Sequence, residues 1–322
     1  MNRTDQRPIV VALGGNAISP EHAEGNIDEQ FAASRVTARL IVDLISDGHH
    51  VVITHGNGPQ VGNVLRRVEL AAHEVYTLPL QTCVADTQGG MGYMIAECLN
   101  NELARRGIAR TAAALITMVE VAEDDPAFEN PTKPIGRLYS PEQAEDVRRR
   151  YGWRMAAIGS RGFRRVVPSP APLHIIEADV IRTLVAHGCL LIAGGGGGIP
   201  VVRCPDGTHR GVEAVIDKDR TSALLAHELN AELLLIATSV PKVAINYGRP
   251  DERRLERMTT SEARGWLSEG QFPAGSMGPK VEASLEFLEK SDSNDERRVV
   301  ICALEELRDA AAGRAGTQIV RS

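Results

Sequence analysis

The hydrophobic positions of the chain alternate between two patterns, and each pattern predicts one kind of element. Short runs of Val, Ile, Leu and Ala are mostly followed by longer stretches whose apolar residues recur at helical spacing. This alternation is typical of an α/β protein whose mostly parallel sheet is covered by helices. The clearest predicted strands are residues 9–13, 51–54, 112–116, 190–193, 233–237 and 299–303.

The first predicted helix follows the first strand and shows one apolar face. Gly48 stands where a C-terminal cap is expected, because glycine adopts the left-handed conformation that often ends a helix. The residues that mark the inner face are Phe31, Leu40, Ile41, Leu44 and Ile45.

Residues 120–172 interrupt the alternation. The segment is rich in Pro, Arg and acidic residues, and its apolar residues show no sustained period. Such excursions from an α/β core are often functional. We therefore predict an inserted subdomain or lid at this place.

Composition narrows the class of protein. The 322 residues carry a net charge of −6, with 43% hydrophobic and 24% charged residues, close to globular averages. The basic residues are scattered, so we do not expect the protein to bind nucleic acid. The polar start and the short apolar runs predict neither a signal peptide nor a membrane span. Five separated cysteines without a C-x-x-C pair favour a reduced, cytoplasmic protein.

Three predicted strands end in glycines, at the sheet edge where open α/β folds bind ligands. Backbone N–H groups beside glycines are unobstructed by a Cβ atom, so such loops can bind an anion. The alternatives for these loops are simple turns or tight packing. The residues are Gly14, Gly15 and Asn16 after the first strand, Gly56, Asn57 and Gly58 after the second, and Gly195, Gly196 and Gly197 within a five-glycine run.

The common nucleotide-binding fingerprints are missing from the sequence. A G-x-G-x-x-G pattern after the second strand would need glycine at Val61, and the G-x-x-x-x-G-K-[ST] pattern occurs nowhere. A bound phosphate would therefore need another scheme. His49, His50 and His55 do not predict a metal site, because the first two are adjacent and no third ligand is suitably spaced.

Two lysines stand at predicted helix starts. Lys218 is flanked by Asp217 and Asp219, and Lys280 follows Gly-Ser-Met-Gly-Pro, whose proline we expect at the first helical position. A lysine there opposes the helix dipole unless an anion lies near, so a phosphate is one explanation. A solvated lysine, for Lys218 paired with a neighbouring aspartate, is the other. Glycine loops, Asn16 and two lysines oriented by Asp219 are parts that phosphoryl transfer uses.

The chain resembles the carbamate kinases of the amino-acid kinase superfamily from residue 9 to about residue 320. Other members of the superfamily share the glycine loops, whereas the HGNGPQ and NPTKP segments are specific to the carbamate kinases. The motifs that carry the resemblance are ALGGNAI at 12–18, HGNGPQVG at 55–62, NPTKPIG at 130–136, RVVPSP at 165–170, GGGGIPV at 195–201, GVEAVIDKD at 211–219 and GSMGPK at 275–280.

The resemblance implies a three-layer αβα fold, here as a single domain over residues 1–322. It implies an N-terminal carbamate lobe at about 1–190, a protruding lid at about 120–172 and a C-terminal nucleotide lobe at about 190–322. It also implies a homodimer, and it implies ATP or ADP with Mg²⁺, which is held mainly by phosphate oxygens and water. The expected reaction is ATP + carbamate ⇌ ADP + carbamoyl phosphate, run toward ATP in arginine, agmatine or purine-nitrogen breakdown.

Site residues follow from the same resemblance. Asn16, Lys133, Lys218 and Lys280 would surround the transferred phosphoryl group, and Asp219 would arrange the lysines. The glycine loops named above, with Asn57, would hold substrate and phosphates, while Ser239, Val240, Tyr247 and Met277 would lie near the nucleotide. From sequence alone Lys133 would be a solvated loop lysine; the resemblance instead predicts a cation that a closing lid delivers.

One segment departs from the family pattern. Ala156, Ala157 and Ile158 stand where carbamate kinases usually carry charged residues, and residues 160–163 replace a Gly-Arg-Gly-Trp. The changed lid leaves two other hypotheses open: a relative that phosphorylates another small acid, and a catalytically silent nucleotide or carbamoyl-phosphate sensor. Lys133, Lys218, Asp219 and Lys280 argue against the sensor, because a sensor could lose cations that serve only the transition state.

Overall fold

The computed structural model describes residues 6–18, 26–273, 275–290 and 296–322, without the side chain of Asn16. Strands and helices alternate along most of this length. In these ranges the strands are β1 (Ile9–Leu13), β2 (Val51–His55), β3 (Ala112–Ala114), β4 (Met118–Val121), β5 (Lys133–Tyr139), β6 (Met155–Ala157), β7 (Phe163–Val167), β8 (Pro172–Ile175), β9 (Leu190–Ile192), β10 (Ile199–Arg203), β11 (His209–Gly211), β12 (Leu233–Thr238), β13 (Ala244–Ile245), β14 (Arg253–Arg254), β15 (Arg257–Thr259), β16 (Arg298–Ala303) and β17 (Thr317–Val320). The helices are α1 (Ile27–Ser46), α2 (Gln60–Ala71), α3 (Leu80–Arg105), α4 (Pro126–Glu129), α5 (Pro141–Tyr151), α6 (Ala178–Ala186), α7 (Lys218–Glu228), α8 (Thr260–Ser268), α9 (Met277–Glu289) and α10 (Leu307–Ala311).

The central sheet has the strand order β15-β17-β16-β12-β1-β2-β9-β3 within the described residues. Its strands pair in parallel except for β16 with β17. Ile9 at the start of β1 lies opposite Val51 of β2 and Leu233 of β12. The carboxyl ends of β1, β2 and β9 therefore meet at one edge, as the sequence predicts, and the carboxyl end of β12 joins them there.

Helices cover both faces of this sheet, which confirms the predicted three-layer αβα fold. Val10 and Ala12 of β1 pack in a core with α6, α7, α8 and α9. Val11 and Leu13 point to the other face, into a core with α1, α3 and α10. Because every residue of β1 is buried, the strand is a continuous apolar run, as expected for a strand covered on both sides.

The first predicted helix is confirmed as α1. Asn26 and Glu29 form a capping box at its start, in which the Asn26 side chain accepts from the Glu29 N–H at 3.0 Å. The inner-face residues pack against the sheet, with Ile41 and Leu44 fully buried. Gly48 follows the helix end with φ +97°, the conformation expected of a glycine cap.

The third predicted strand is shorter than expected. β3 ends at Ala114, and Ile116 is 49% exposed. Thr117 leaves the central sheet, because its N–H donates to Gln88 Oε1 and its hydroxyl to the Leu115 carbonyl. The apolar run of residues 112–121 is thus divided between two sheets.

Regular structure fills the segment that the sequence marks as an insertion. β4 and β8 bracket it as antiparallel neighbours in a four-stranded sheet of order β11-β10-β4-β8. Between them, β5, β7 and β6 form a three-stranded antiparallel sheet, which we call the lid sheet, with α5 packed on it. Tyr139, Ala144 and Val147 make a separate small core there. The lid sheet is therefore a folded unit beside the central sheet.

No helix in the described part of the chain is long and apolar enough to cross a membrane.

Candidate active site

Two lysines from different helices meet at one buried carboxylate. Lys218 Nζ lies 2.5 Å from Asp219 Oδ1, and Lys280 Nζ lies 2.9 Å from Asp219 Oδ2. The Asp219 side chain is only 3% exposed. Each oxygen of this carboxylate therefore holds one ammonium group, so the two positive charges stay close together.

Burial and charge act in opposite directions on this cluster. Burial would raise the pKa of Asp219, but attraction to Lys218 and Lys280 outweighs it and lowers the pKa. Burial lowers the pKa of Lys218, the nearby charge of Lys280 lowers it further, and Asp219 opposes both effects. A buried pair of like charges beside one carboxylate has a net positive charge, which an entering anion would compensate.

Both lysines lie at helix starts. Lys218 is the first residue of α7, whose N-cap Asp217 accepts from the Asp219 N–H at 2.9 Å. Lys280 lies in the first turn of α9, which begins at Met277. The expectation that Pro279 takes the first helical position is wrong; it is the third residue. It still fits there, since the first four N–H groups of a helix have no partner within the helix.

A cavity of about 470 Å³ opens over these lysines, and we call it the lysine cavity. The ends of β1 and β2, the start of α2, the lid sheet and the starts of α7 and α9 enclose it. Of the predicted residues, Gly15, Gly56, Asn57, Gly58, Lys133, Gly196, Lys218, Asp219 and Lys280 line it. Among the described residues its lining includes six Lys or Arg side chains against Asp217 and Asp219, which favours an anionic ligand.

Lys133 enters this cavity from the lid sheet. It begins β5 and lies opposite Val167 of β7. Its Nζ lies 3.1 Å from the Ile216 carbonyl oxygen and 3.5 Å from Asp217 Oδ2. A third ammonium group thus reaches the residues that start α7.

Tight packing explains the glycine run after β9. Gly196 and Gly197 have φ of +68° and +91°, and a Cβ atom would lie 2.2 Å from Asn57 Oδ1 at the first and 2.3 Å from the Ile216 oxygen at the second. At Gly195 a Cβ would lie 2.5 Å from His55 Nε2. Of the three, Gly196 lines the lysine cavity. The packing alternative therefore accounts for these glycines without a ligand.

Asn57 connects the second glycine loop to this run. Its Nδ2 donates to the Gly196 carbonyl at 3.2 Å, and its Oδ1 accepts from Thr87 at 2.7 Å. Gln88 also donates to the Gly195 carbonyl, at 2.9 Å. Side chains of α3 thus hold the glycine loop in place, a role that the sequence did not reveal.

The first glycine loop packs closely against its neighbours. A Cβ at Gly14 would lie 3.0 Å from the Ala237 oxygen, and one at Gly56 would lie 3.0 Å from the Lys218 side chain. Gly15 approaches Gly58, so the ends of β1 and β2 touch. Asn16 lies in the short turn of residues 15–17, and its side chain is outside the described structure.

A second cavity of about 340 Å³ lies beside the first, and we call it the Tyr247 cavity. All four residues predicted near a nucleotide line it: Ser239, Val240, Tyr247 and Met277. Lys280 lines both cavities. A ligand could therefore extend from the Tyr247 cavity into the lysine cavity past the Lys280 ammonium group.

Several lining residues were not predicted. Asn63, Arg66, Arg137 and Arg164 line the lysine cavity, and Lys242, Glu252 and Arg254 line the Tyr247 cavity. Arg137 and Arg164 lie on β5 and β7. The sequence indicates only that the insertion is rich in Arg. That composition does not identify which arginine faces the site.

His55, the last residue of β2, is buried and neutral. Burial is the main reason that its pKa falls to about 4; Lys218 lowers it as well, while the bond to Gly56 opposes them. Its Nδ1 lies 2.9 Å from the Gly56 carbonyl, so the neutral ring donates a hydrogen bond there. In the described ranges no group of three or more His, Cys, Asp or Glu side chains could hold a metal ion.

The chain belongs to the amino acid kinase family, whose model matches residues 7–302. It is 49% identical over 315 residues to the carbamate kinase of Staphylococcus haemolyticus, which covers 97% of this chain and 98% of that protein. It is 44% identical over 318 residues to the carbamate kinase-like protein YahI of Escherichia coli, covering 98% and 99%. The structure of carbamate kinase from Giardia lamblia bound to AMP-PNP has a TM-score of 0.91 at 38% identity, covering 99% and 100%. These relatives place the enzyme among the carbamate kinases of that family.

Proposed function

We propose that the protein catalyses ATP + carbamate ⇌ ADP + carbamoyl phosphate. The observation that carries the proposal is the position of Lys280, which lines both the Tyr247 cavity and the lysine cavity and bonds to Asp219. A nucleotide in the first cavity would direct its phosphates past Lys280 to a small acid in the second.

Each predicted residue then has a physical role. Ser239, Val240, Tyr247 and Met277 would contact the nucleoside end. Lys133, Lys218 and Lys280 would surround the transferred phosphoryl group, with Asp219 holding two of them. Phosphoryl transfer is accelerated mainly by positioning and by charge stabilisation, which this cluster supplies. Carbamate is already an anion, so no general base is required.

Loop residues complete the proposed site. Gly15, Gly56, Gly58 and Gly196 line the lysine cavity, and substrate oxygens could approach their backbone closely because no Cβ atom is present. Gly14, Gly195 and Gly197 lie outside the lining of the cavity and would stabilise that backbone through their close packing. Asn16 would contact the phosphoryl group, as the family resemblance implies.

Mg²⁺ would enter as part of the nucleotide substrate. Both oxygens of Asp219 are held by lysines, while Asp217 caps α7 and faces Lys133 at 3.5 Å. Both carboxylates are thus already paired with groups of the protein itself. Mg²⁺ commonly keeps several waters and binds substrate phosphates, which fits a site of this kind.

The direction and setting follow from the family resemblance. We propose that the enzyme runs toward ATP at the end of arginine, agmatine or purine-nitrogen breakdown. Five free cysteines fit a reducing compartment, and we place the protein in the cytoplasm. We also propose one domain over residues 1–322, with a carbamate lobe at about 1–190, a lid at about 120–172 and a nucleotide lobe at about 190–322.

A homodimer is the proposed assembly. Within the described residues β3 is the last strand of the central sheet, and Ala113, Ala114 and Ile116 are exposed there. Tyr93 is also exposed and follows Gly92, which packs closely against Ala114. An uncovered sheet edge with apolar residues is suited to pairing with a second copy. Sedimentation should give a dimer that Ile116→Asp shifts to monomer. A monomeric wild type would contradict this assembly.

A second candidate is a kinase for another small carboxylate. Residues 156–158 lack the charges usual in the family, and one similar protein is called carbamate kinase-like rather than carbamate kinase. A catalytically silent sensor remains the third hypothesis. Incubating the enzyme with ATP and a panel of small acids separates them, because a different kinase releases ADP only with another acid and a sensor releases none.

The decisive experiment is ATP formation from ADP and carbamoyl phosphate, followed by a coupled assay. We expect turnover by the wild type and a loss of at least about 100-fold in Lys218→Ala. No ATP from a folded wild-type sample would contradict the proposal.

A further inference from the structure

Arg164 is a cation of the lid sheet that faces the lysine cavity without a carboxylate partner among the described residues. It lies on β7 and is half-buried. Its Nε and one terminal nitrogen donate to the Gly136 carbonyl at 2.9 and 2.5 Å. A guanidinium has five N–H donors, so most of its donors remain for another acceptor.

Strand pairing explains why no acid reaches Arg164. On one side the residue opposite it is Ala156 of β6. On the other side the β5–β7 register shifts between Ile135 and Tyr139, so no β5 side chain lies directly opposite. The neighbouring Arg165, by contrast, is paired with Glu213 at 3.0 Å. Two adjacent arginines of one strand thus have different environments.

Arg164 and Lys280 occupy different parts of the proposed site. Lys280 lies where the two cavities meet, at the proposed nucleotide side. Of the two cavities described above, Arg164 lines the lysine cavity and not the Tyr247 cavity, and it belongs to the lid sheet together with Lys133. In-line transfer places the donor and the acceptor oxygen on opposite sides of phosphorus. The lid side is therefore the side for the acceptor.

We propose that Arg164 binds the carbamate end of the substrate, as a planar fork that matches a planar carboxylate-like group. This inference rests on the proposed function. In the ATP-forming direction, the β-phosphate oxygen of ADP forms the new bond to phosphorus. The bond from phosphorus to the carbamate oxygen breaks, and its electron pair leaves on that oxygen. No proton moves, and Arg164 stabilises the negative charge that develops on the leaving carbamate.

Electrostatics agree with this geometry. Burial and the charge of Arg161 lower the pKa of Arg164, and the acceptor that its guanidinium meets within the described residues is the neutral Gly136 carbonyl. A carbamate oxygen would supply the missing negative partner. Lysine could supply the charge but not the two parallel N–H groups of a guanidinium.

The test compares Arg164→Met and Arg164→Lys with Arg161→Met and Arg161→Lys. Arg161 is an exposed lid arginine outside the lining of the cavity, so it is the matched control. We expect Arg164→Met to lower kcat/KM for carbamoyl phosphate by about 100-fold or more, with KM for ADP within about twofold. Arg164→Lys should lose about tenfold. Both Arg161 variants should keep wild-type values.

Equilibrium binding of phosphonoacetamide, in which CH₂ replaces the bridging oxygen of carbamoyl phosphate, separates this inference from the proposed function. If the wild type forms no ATP yet binds the probe through Arg164, the proposed function fails and the site stands. Equal losses for ADP and carbamoyl phosphate, or unchanged kinetics in a folded Arg164→Lys, would overturn the role of Arg164. A folded wild type that neither turns over carbamoyl phosphate nor binds the probe would overturn both.

Discussion

Lys280 Nζ lies 2.9 Å from Asp219 Oδ2, although the two residues are 61 positions apart in the chain. Asp219 bonds to Lys218 through its other oxygen, so two cations from two helices share one buried acid. Removing the acid would leave both ammonium groups buried and repelling each other.

Asp219→Asn is therefore expected to reduce both stability and activity. Breaking a buried ion pair typically costs about 3–5 kcal/mol, because the remaining charge is uncompensated. Urea unfolding of the variant measures the loss. The control is Asp309→Asn, which removes an exposed acid paired with Arg314 and should cost less than about 1 kcal/mol. Equal, small losses in both variants would contradict the role of Asp219.

Lys218→Met should lower the rate of phosphoryl transfer much more than the affinity for ADP. The ammonium group serves the charge that develops during transfer, so kcat should fall about 100-fold or more while the Kd for ADP changes by less than about fivefold. Steady-state kinetics and calorimetric titration with ADP check this. Exposed Lys290→Met should leave both values unchanged. Matching losses in kcat and affinity would show that Lys218 only binds.

His55 predicts a pH dependence of stability. Its pKa in the folded protein is about 4, below the ordinary value of 6.5, so the unfolded chain binds the proton more readily. The contribution of His55 is complete above pH 6.5 and is lost as the pH falls toward 4, by about 3 kcal/mol in total.

Unfolding curves of the wild type and of His55→Gln between pH 7.5 and 4 test this contribution. The variant should show a flatter decline across that window, whereas His187→Gln, at an exposed position, should follow the wild type. Parallel curves for all three proteins would refute a buried neutral His55.

Gly196→Ala should lower the free energy of unfolding by more than the positive φ of this position alone would cause. The added methyl group would lie 2.2 Å from Asn57 Oδ1, so the Asn57 contact must break. Gly188 has a similar positive φ with open space around it and isolates the backbone cost of about 1–2 kcal/mol. We expect Gly196→Ala to lose at least about 2 kcal/mol more than Gly188→Ala in urea unfolding. Similar losses would show that the close approach is relieved easily.

The sequence by itself determined the α/β class, the main buried strands and the helix that α1 confirms. Apolar runs such as Ile9–Leu13 and the Gly48 cap are local signals, and they act through local backbone geometry and through burial. Lysines at helix starts were also visible, since Lys218 and its neighbouring aspartates are adjacent in the chain. The short motifs then identified the family that the comparisons confirm.

Only the tertiary structure decided which side chains meet. Lys280 reaches Asp219, and Asn57 reaches the Gly196 loop, through the packing of distant segments. The pairing of β6, β7 and β5 decided that Arg164 faces the cavity without an acid, while Arg165 is paired. Such relationships depend on strand register and on helix placement, which a periodic pattern of apolar residues does not encode. The charged residues can be identified from the sequence, whereas the fold determines which groups they pair with.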